Sequence, residues 1–268
     1  MSQIYKADGA AQRYDSARAL PDETSALWMK TLASALPPDF APSRILDLGA
    51  GTGRFAPLLR KTFGGTVHAV EPVETMFEVG LSRMFEGVEW HRGTAESIPL
   101  ESDSVEMVWM SQVFHHLDDP GTAVQEIRRV LRSGGYVAIR NGTKENNAEI
   151  EWIRCFPEAA RIDDGRLPSH QDVIDAFSKH SFNAIVTQTV YQYFAASYSE
   201  YYDKISQRGL SSLIAISDEA FAAGLRRLKD WIEKQFPSKP VYEPVDLFVF
   251  QVDKAGESPT TESNATSG

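Results

Sequence analysis

The sequence predicts an α/β fold built on a doubly wound, mostly parallel β-sheet. Three observations predict it. Over roughly the first 140 residues, short apolar runs alternate with segments in which apolar residues recur at helical spacing. The apolar runs are continuous, which is typical of parallel strands that are buried on both faces. Turn-forming residues such as Gly, Pro, Ser and Asp separate the segments, as the strand–helix alternation of such a sheet requires.

The predicted strands are short, mainly apolar runs that end at a turn signal, and they make the sheet seven-stranded. They cover residues 45–48, 66–70, 88–91, 104–110, 136–139, 184–194 and 245–252. The predicted helices have one apolar face, and Asp22 is the candidate N-cap of the first of them. They cover residues 23–36, 54–63, a segment through Met76 and Phe77, a segment through Val124, Ile127 and Leu131, and residues 146–156, 170–179, 198–208 and 218–236. Residues 157–169 are predicted as a loop.

Composition and charge limit the possible partners. The formal net charge of −10 argues against a sequence-independent grip on nucleic acid and against an anionic membrane surface. The single cysteine, Cys155, fits a reducing compartment and excludes an internal disulfide. No apolar run approaches the ~18 residues of a membrane span, and the N-terminus has no apolar signal core. We therefore expect a cytoplasmic protein with neither a nucleic-acid nor a membrane partner. The sequence does not predict an oligomeric state.

One turn stands out as a candidate ligand site. At residues 45–54 the chain reads ILDLGAGTGR, so that Gly49, Gly51 and Gly53 follow a predicted strand at alternate positions. Glycine weakens regular structure, and its clustering indicates a backbone that something must approach closely. In an open α/β sheet, ligands bind beyond the carboxyl ends of the strands. The sequence therefore predicts a ligand at this turn.

The residues around the turn leave two ligand classes to compare, a dinucleotide and S-adenosylmethionine. The spacing is G-x-G-x-G, whereas the dinucleotide fingerprint is G-x-G-x-x-G. Asp47, just before the turn, suits a ligand with a cationic amino group and a sulfonium. Glu71 ends the second predicted strand, where a carboxylate can accept both ribose hydroxyls, although NAD enzymes also place an acid there. An NAD(P)-dependent oxidoreductase remains the alternative enzyme class.

Five stretches in order resemble the class I S-adenosylmethionine-dependent methyltransferases, and within them the small-molecule branch called type 11 or UbiE-like. They are ILDLGAGTGRF, VHAVEP, GTAESIPL, VWMSQVFHHLDDP and LRSGGYVAI, and together they cover roughly residues 40–140. The resemblance implies a Rossmann-like fold with helical lid insertions. It also implies S-adenosyl-L-methionine as cofactor and methyl transfer to a small-molecule acceptor by in-line displacement. A non-catalytic cofactor-binding protein of the same fold is the other alternative.

The resemblance also implies roles for individual residues. Asp47 is expected near the amino group of the cofactor, Glu71 at the ribose and Met76 near the adenine. Thr94 stands where family members often have an Asp that contacts the adenine amino group. The full set of implied cofactor-binding residues is Asp47, Gly49, Ala50, Gly51, Gly53, Glu71, Pro72, Met76, Thr94, Ala95, Glu96, Ser111 and Gln112. Each role has a simpler alternative that involves no ligand. The glycine turn could be purely structural, and Met76 could be an ordinary residue of the hydrophobic core.

The candidate catalytic residues are His116 and Tyr14, which relatives place toward the acceptor and over the cofactor respectively. A general base is needed only if the acceptor loses a proton. The alternative role for His116 is packing. The alternative role for Tyr14 is to anchor the N-terminal segment. No metal is predicted, because the histidines show no ligand spacing along the chain beyond an adjacent pair. The four of the six histidines considered are His68, His91, His115 and His116.

The expected domain organisation follows the resemblance. Residues 1–40 form an N-terminal helical lid, 41–141 the cofactor-binding core, 142–253 the remaining strands with helical substrate-binding insertions, and 254–268 a disordered tail. The tyrosines within 191–202 are expected either to form an aromatic wall for the acceptor or to pack in a core. An anionic acceptor could use one of four arginines, which are otherwise ordinary surface residues: Arg140, Arg154, Arg161 and Arg166.

Overall fold

The computed structural model describes residues 20–235 and 239–253. Tyr14, residues 1–19 of the predicted N-terminal lid and the predicted tail 254–268 lie outside the described residues. Seven strands form one sheet. They are β1 (Arg44–Leu48), β2 (Thr66–Glu71), β3 (Val88–Arg92), β4 (Val105–Ser111), β5 (Leu131–Asn141), β6 (Phe182–Ala195) and β7 (Val241–Val252).

The strand order confirms the predicted doubly wound sheet. The strands lie in the order β3-β2-β1-β4-β5-β7-β6. The first five strands pair in parallel, and β7 enters antiparallel between β5 and β6. The order reverses direction after β1, so the crevice between the carboxyl ends of β1 and β4 is the expected ligand position.

Helices connect the strands and fill both faces of the sheet. They are α1 (Asp22–Ser34), α2 (Ala56–Phe63), α3 (Glu74–Ser82), α4 (Pro120–Val130), α5 (Lys144–Asn147), α6 (Glu151–Cys155), α7 (Pro157–Arg166), α8 (His170–Ser178), α9 (Tyr198–Ser206), α10 (Ser211–Ala215) and α11 (Asp218–Ile232). A single 3₁₀ turn covers Phe114–His116. Among the helices that the structure describes, none has both the length and the apolar character to cross a bilayer.

Three local predictions were wrong. Asp22 is the first residue of α1, and Pro21 occupies the cap position without a side-chain hydrogen bond. The predicted helix 146–156 is divided into α5 and α6. The predicted loop 157–169 contains α7, which Pro157 begins at the first helical position, where its missing N–H costs nothing.

Two apolar clusters hold the sheet and a third lies in the segment after β5. On one face, α1 and α2 bury Trp28 and Leu59 against the sheet. On the other face, α4 and α8 bury Ile127 and Phe177. The third cluster joins α6, α7, α9, α10 and α11 around Phe156. The segment between β5 and β7 therefore has an apolar core of its own beside the carboxyl ends of the strands.

Candidate functional site

The glycine turn is fastened to the end of β2. Gly49, Gly51 and Gly53 have φ values of 72°, 59° and 85°, in the region that residues with a Cβ rarely adopt. The amides of Gly49 and Ala50 both donate to the carbonyl oxygen of Val70, at 2.8 and 3.1 Å. The turn is therefore a fixed feature of the sheet edge.

Two of the three glycines are also required by close packing. A Cβ on Gly49 would lie 2.5 Å from Cγ2 of Val113, and one on Gly53 would lie 2.7 Å from Cζ2 of Trp90. These distances are too short for non-bonded carbon atoms. Packing within the protein is therefore enough to explain glycine at positions 49 and 53. Gly49 and Gly51 also lie on the wall of the cavity described below.

Glu71, at the carboxyl end of β2, reaches back to the glycine turn. Its Oε2 accepts the amide hydrogen of Gly51 at 2.8 Å, and its Oε1 accepts that of Val73 at 2.9 Å. Burial raises the pKa of this carboxyl group, and the two backbone hydrogen bonds oppose that rise. Since each carboxylate oxygen accepts more than one hydrogen bond, both oxygens keep capacity for ligand hydroxyls.

Asp47 lies beneath the turn and is only 2% exposed. Its Oδ2 is buried and has no hydrogen-bond partner among the described residues. Burial, together with the charge of Glu71, raises the pKa of Asp47 to about 8. A buried carboxyl group of this kind is stabilised when a positive charge comes near it.

A cavity of about 300 Å³ opens at the carboxyl ends of β1, β2 and β4. Most of the residues predicted to bind the cofactor are on its wall: Gly49, Gly51, Glu71, Pro72, Met76, Thr94, Ala95, Glu96, Ser111 and Gln112. The predicted catalytic residue His116 is there as well. Asp47, Ala50 and Gly53, which were also predicted to bind the cofactor, are not among the wall residues. Met76 is 4% exposed, so it belongs to the core and to the wall at once.

The sequence interpretation missed several wall residues that neighbour the predicted ones. They are Leu48, Val73, Gly93, Val113, Leu117 and Asp118. Gly93 has a visible reason for its identity, because a Cβ there would lie 2.5 Å from Cδ of Pro99. The other missed residues carry no sequence signal of their own, apart from lying next to predicted residues in the chain.

The end of β4 has an unusual backbone. Gln112 has a φ of 59° although it is not glycine, and its amide donates to the carbonyl oxygen of Arg140 at 2.7 Å. Ser111 Oγ accepts a hydrogen bond from Arg140 Nη1 at 3.2 Å. Non-glycine residues in this conformation cluster at functional sites, where the surroundings hold them in place.

A second cavity, of about 130 Å³, adjoins the first and shares Ser111 and Gln112 with it. Trp152 and Phe194 give its wall apolar surface. Arg140 is on the wall with its guanidinium 4.7 Å from the ring of Trp28, and its Nη2 donates to Gln192 Oε1 at 2.6 Å. Other charged and polar wall residues are Arg54, His115, Asp163, Arg166 and Glu243.

The adjacent histidines divide between the cavities. His116 is on the wall of the first and His115 on the wall of the second, with ring centroids 3.9 Å apart. Nδ1 of His115 is 3.1 Å from Oδ1 of Asn141. The 3₁₀ turn that begins at Phe114 therefore points one imidazole toward each space.

The tyrosines after β6 serve the third apolar cluster. Tyr198 and Tyr201 are buried in it, and Tyr201 donates its hydroxyl hydrogen to Glu243 Oε1 at 3.3 Å. Neither lies on the wall of the second cavity, so the packing alternative describes these two residues. Trp152 and Phe194 supply the aromatic surface there instead.

Comparison with known proteins agrees with this geometry. Residues 46–139 match the methyltransferase domain family. An uncharacterised methyltransferase of Mycobacterium tuberculosis is 39% identical over 118 residues, which are 44% of this chain and 46% of that protein. The chain thus spans about half the length of the curated relatives it matches. The matched domain, residues 46–139, includes every wall residue of the first cavity.

Two solved structures share the fold along most of the chain. Geranyl diphosphate methyltransferase, in complex with geranyl diphosphate and sinefungin, is 18% identical with a TM-score of 0.54, covering 84% of this chain and 78% of that one. The (4+2)-cyclase SpnF is 16% identical with a TM-score of 0.59, covering 89% and 85%. Residues 46–139 of this chain are therefore a methyltransferase domain, and this segment resembles the class I S-adenosylmethionine-dependent methyltransferases.

Proposed function

We propose that this protein transfers a methyl group from S-adenosylmethionine to a small-molecule acceptor by in-line displacement. The observation that carries the proposal is the pair of adjoining cavities with Ser111 and Gln112 at their junction. The larger cavity contains the glycine turn and Glu71, and the smaller one lies against the segment that follows β5. Donor and acceptor held in these two spaces would meet where the walls are shared.

The wall of the larger cavity, together with Asp47 next to the glycine turn, fits this cofactor. S-adenosylmethionine has a cationic amino group, and Oδ2 of the buried Asp47 has no hydrogen-bond partner among the described residues. Glu71 is oriented by the amides of Gly51 and Val73, and its remaining lone pairs suit ribose hydroxyls. When bound, the cofactor supplies an electrophilic methyl group on a sulfonium. Sinefungin in the related geranyl diphosphate methyltransferase is an analogue of the same molecule.

Alignment is the main contribution that the chain's own residues make. Holding two reactants in line supplies up to roughly 7–11 kcal/mol of a barrier in favourable cases. The fixed glycine turn and the rigid end of β4 support such alignment. His116, on the wall of the larger cavity, is our candidate for moving an acceptor proton, and Tyr14 remains a candidate from the sequence alone.

The acceptor is proposed to be small because the second cavity has a volume of only about 130 Å³. The net charge of −10 supports a partner other than nucleic acid, and the single cysteine supports a cytoplasmic location. We keep the proposed division of the chain into a lid at 1–40, a cofactor-binding core at 41–141 and substrate-binding insertions at 142–253.

A non-methylating role is the second candidate, since one structural neighbour is described as a cyclase. Two measurements separate the candidates. Calorimetry compares S-adenosylhomocysteine with NAD⁺, and only the former is expected to bind. A metabolite screen with S-adenosylmethionine then seeks a product heavier by one CH₂ group. Binding without any methylated product across the screen supports the non-methylating role, and preferential binding of NAD⁺ rejects the proposal altogether.

A further inference from the structure

Three metal-ligating side chains meet on one face of the sheet edge, away from both cavities. His68 is in β2, and Glu89 and His91 are in the neighbouring edge strand β3. The parallel register pairs His68 with Glu89 and Val70 with His91. Because side chains two residues apart share a face, the register brings all three side chains together. None of the three lines either cavity.

The donor atoms have the spacing of a metal coordination shell. Nδ1 of His68 is 3.2 Å from Nε2 of His91 and 3.3 Å from Oε2 of Glu89. The three ligand atoms all lie within 4.8 Å of one another. In a tetrahedral zinc site with bonds of about 2.0–2.1 Å, neighbouring ligand atoms are about 3.3 Å apart. Two of the three separations already have this value.

Hydrogen bonding alone does not satisfy the cluster. Nδ1 of His68 carries at most one hydrogen, yet it faces two acceptor-capable atoms, Nε2 of His91 and Oε2 of Glu89. If Nδ1 of His68 donates its hydrogen to Oε2 of Glu89, it has none left for Nε2 of His91, and the reverse holds as well. A single cation placed between the three atoms would interact favourably with every one of them.

We propose that His68, Glu89 and His91 bind a divalent transition-metal ion of the zinc type. Two imidazoles and one carboxylate suit Zn²⁺ or Co²⁺, whereas Mg²⁺ prefers oxygen ligands throughout. Three protein ligands leave a fourth position for water. The ion would connect the exposed edge strand β3 to the buried strand β2, since Glu89 is exposed and His68 is only 8% exposed.

The protonation states of the histidines support this assignment. Burial lowers the pKa of His68 and of His91, and this effect exceeds the opposing influence of Glu89. Burial thus favours the neutral imidazole, which is the form that binds metal. The expectation that no metal binds rested on spacing along the chain, and His68 lies in a different strand from the other two residues.

The test uses the full chain, purified without a histidine tag and dialysed against a chelator. Zn²⁺ is titrated in by calorimetry, with Mg²⁺ as the comparison ion. We expect one Zn²⁺ per chain and no comparable binding of Mg²⁺. His68→Gln and His91→Gln should each weaken Zn²⁺ binding at least about 100-fold, because even indirect partners of a metal site account for 10–100-fold. His180→Gln, which changes a histidine outside the cluster, should bind Zn²⁺ as the wild type does.

Two further readouts keep the result decisive. Melting curves without metal show whether each variant folds, and if His68→Gln does not fold, His91→Gln and Glu89→Gln decide. Added Zn²⁺ should raise the melting temperature of the wild type and of His180→Gln but not of His91→Gln, since a ligand that binds only the native state stabilises it. Absence of Zn²⁺ binding by the wild type, or undiminished binding by His91→Gln, would overturn the proposal.

Discussion

Glu71 and Gly51 join the end of β2 to the glycine turn through one hydrogen bond, with Oε2 of the carboxylate 2.8 Å from the amide nitrogen. The same carboxylate accepts the amide of Val73 with its other oxygen. Glu71 therefore shapes the backbone of the cavity as well as facing into it. Substitutions at this position test both roles.

Replacing Glu71 with Gln should weaken binding of S-adenosylhomocysteine by about 1.5–3 kcal/mol. The amide that replaces one carboxylate oxygen is a donor, so it faces the N–H of Gly51 or of Val73 with no acceptor between them. Calorimetry measures the affinity. Glu101→Gln, an exposed acid outside the cavity, is the control and should leave the affinity unchanged. Equal affinities for the two variants would mean that Glu71 does not contact the ligand.

Replacing Gly49 with Ala should remove cofactor binding and reduce the free energy of unfolding by about 1–3 kcal/mol. The new Cβ would lie 2.5 Å from Val113, at a φ of 72°. Gly64→Ala is the matched control, because Gly64 has a φ of 75° and no atom within 4 Å of the added Cβ. The control should lose stability yet keep its affinity for S-adenosylhomocysteine. Normal binding by Gly49→Ala would remove the turn from the ligand site.

Replacing Asp47 with Asn should change how stability depends on pH. The pKa of Asp47 is raised from its ordinary value of 3.8 to about 8, so the folded chain keeps a proton that the unfolded chain has lost. The unfolding free energy of the wild type should therefore fall as pH rises from about 4 to about 8, relative to the variant. Urea denaturation at pH 5 and pH 8 measures the difference. An identical pH dependence in both proteins would contradict a neutral buried Asp47.

The same carboxyl group should make cofactor affinity depend on pH. A cationic amino group near Asp47 favours its ionised form, so binding at pH 7 should release a proton. Calorimetry in buffers of different ionisation enthalpy detects this release. In Asp47→Asn the release should shrink. If proton release is the same in both proteins, Asp47 does not respond to the ligand.

Replacing Trp28 with Phe tests the contact that attaches α1 to the second cavity. Nε1 of Trp28 donates to Gln192 Oε1 at 2.9 Å. Trp109 is the matched control, because it is equally buried and its Nε1 has no partner among the described residues. Chemical denaturation should show Trp28→Phe to be less stable than Trp109→Phe by about 1–3 kcal/mol. Equal losses would show that the hydrogen bond contributes nothing.

The sequence predicted the sheet and the edge at which the larger cavity opens because both depend on local signals, whereas most of the wall residues were implied by the family resemblance. Continuous apolar runs locate the buried strands, and the glycine turn marks the ligand edge. The N-terminus of α1 and the segment at 157–166 were mispredicted, since a Pro that begins a helix also reads as a turn residue. At residues 157–166 that ambiguity is resolved only by packing against the third apolar cluster.

Most of the second cavity wall and the cluster of His68, Glu89 and His91 escaped prediction for a different reason, although Arg140 and Arg166 of that wall were named as candidates. Both are assembled by strand register and by contacts between distant segments. Trp28 and Gln192, for example, are 164 residues apart in the chain and share a hydrogen bond. Spacing along the chain carries no information about such pairs until the sheet order is known.

Because β7 is the last strand to be translated, the walls of the two cavities become complete at different stages of synthesis on the ribosome. The wall of the larger cavity comes from residues 48–118, whereas that of the smaller one extends to Val245 in β7. β7 also separates β5 from β6, so the sheet is incomplete until this strand has emerged. Domains begin to fold while the chain is still growing. A nascent chain therefore contains every wall residue of the larger cavity before the wall of the smaller cavity is complete.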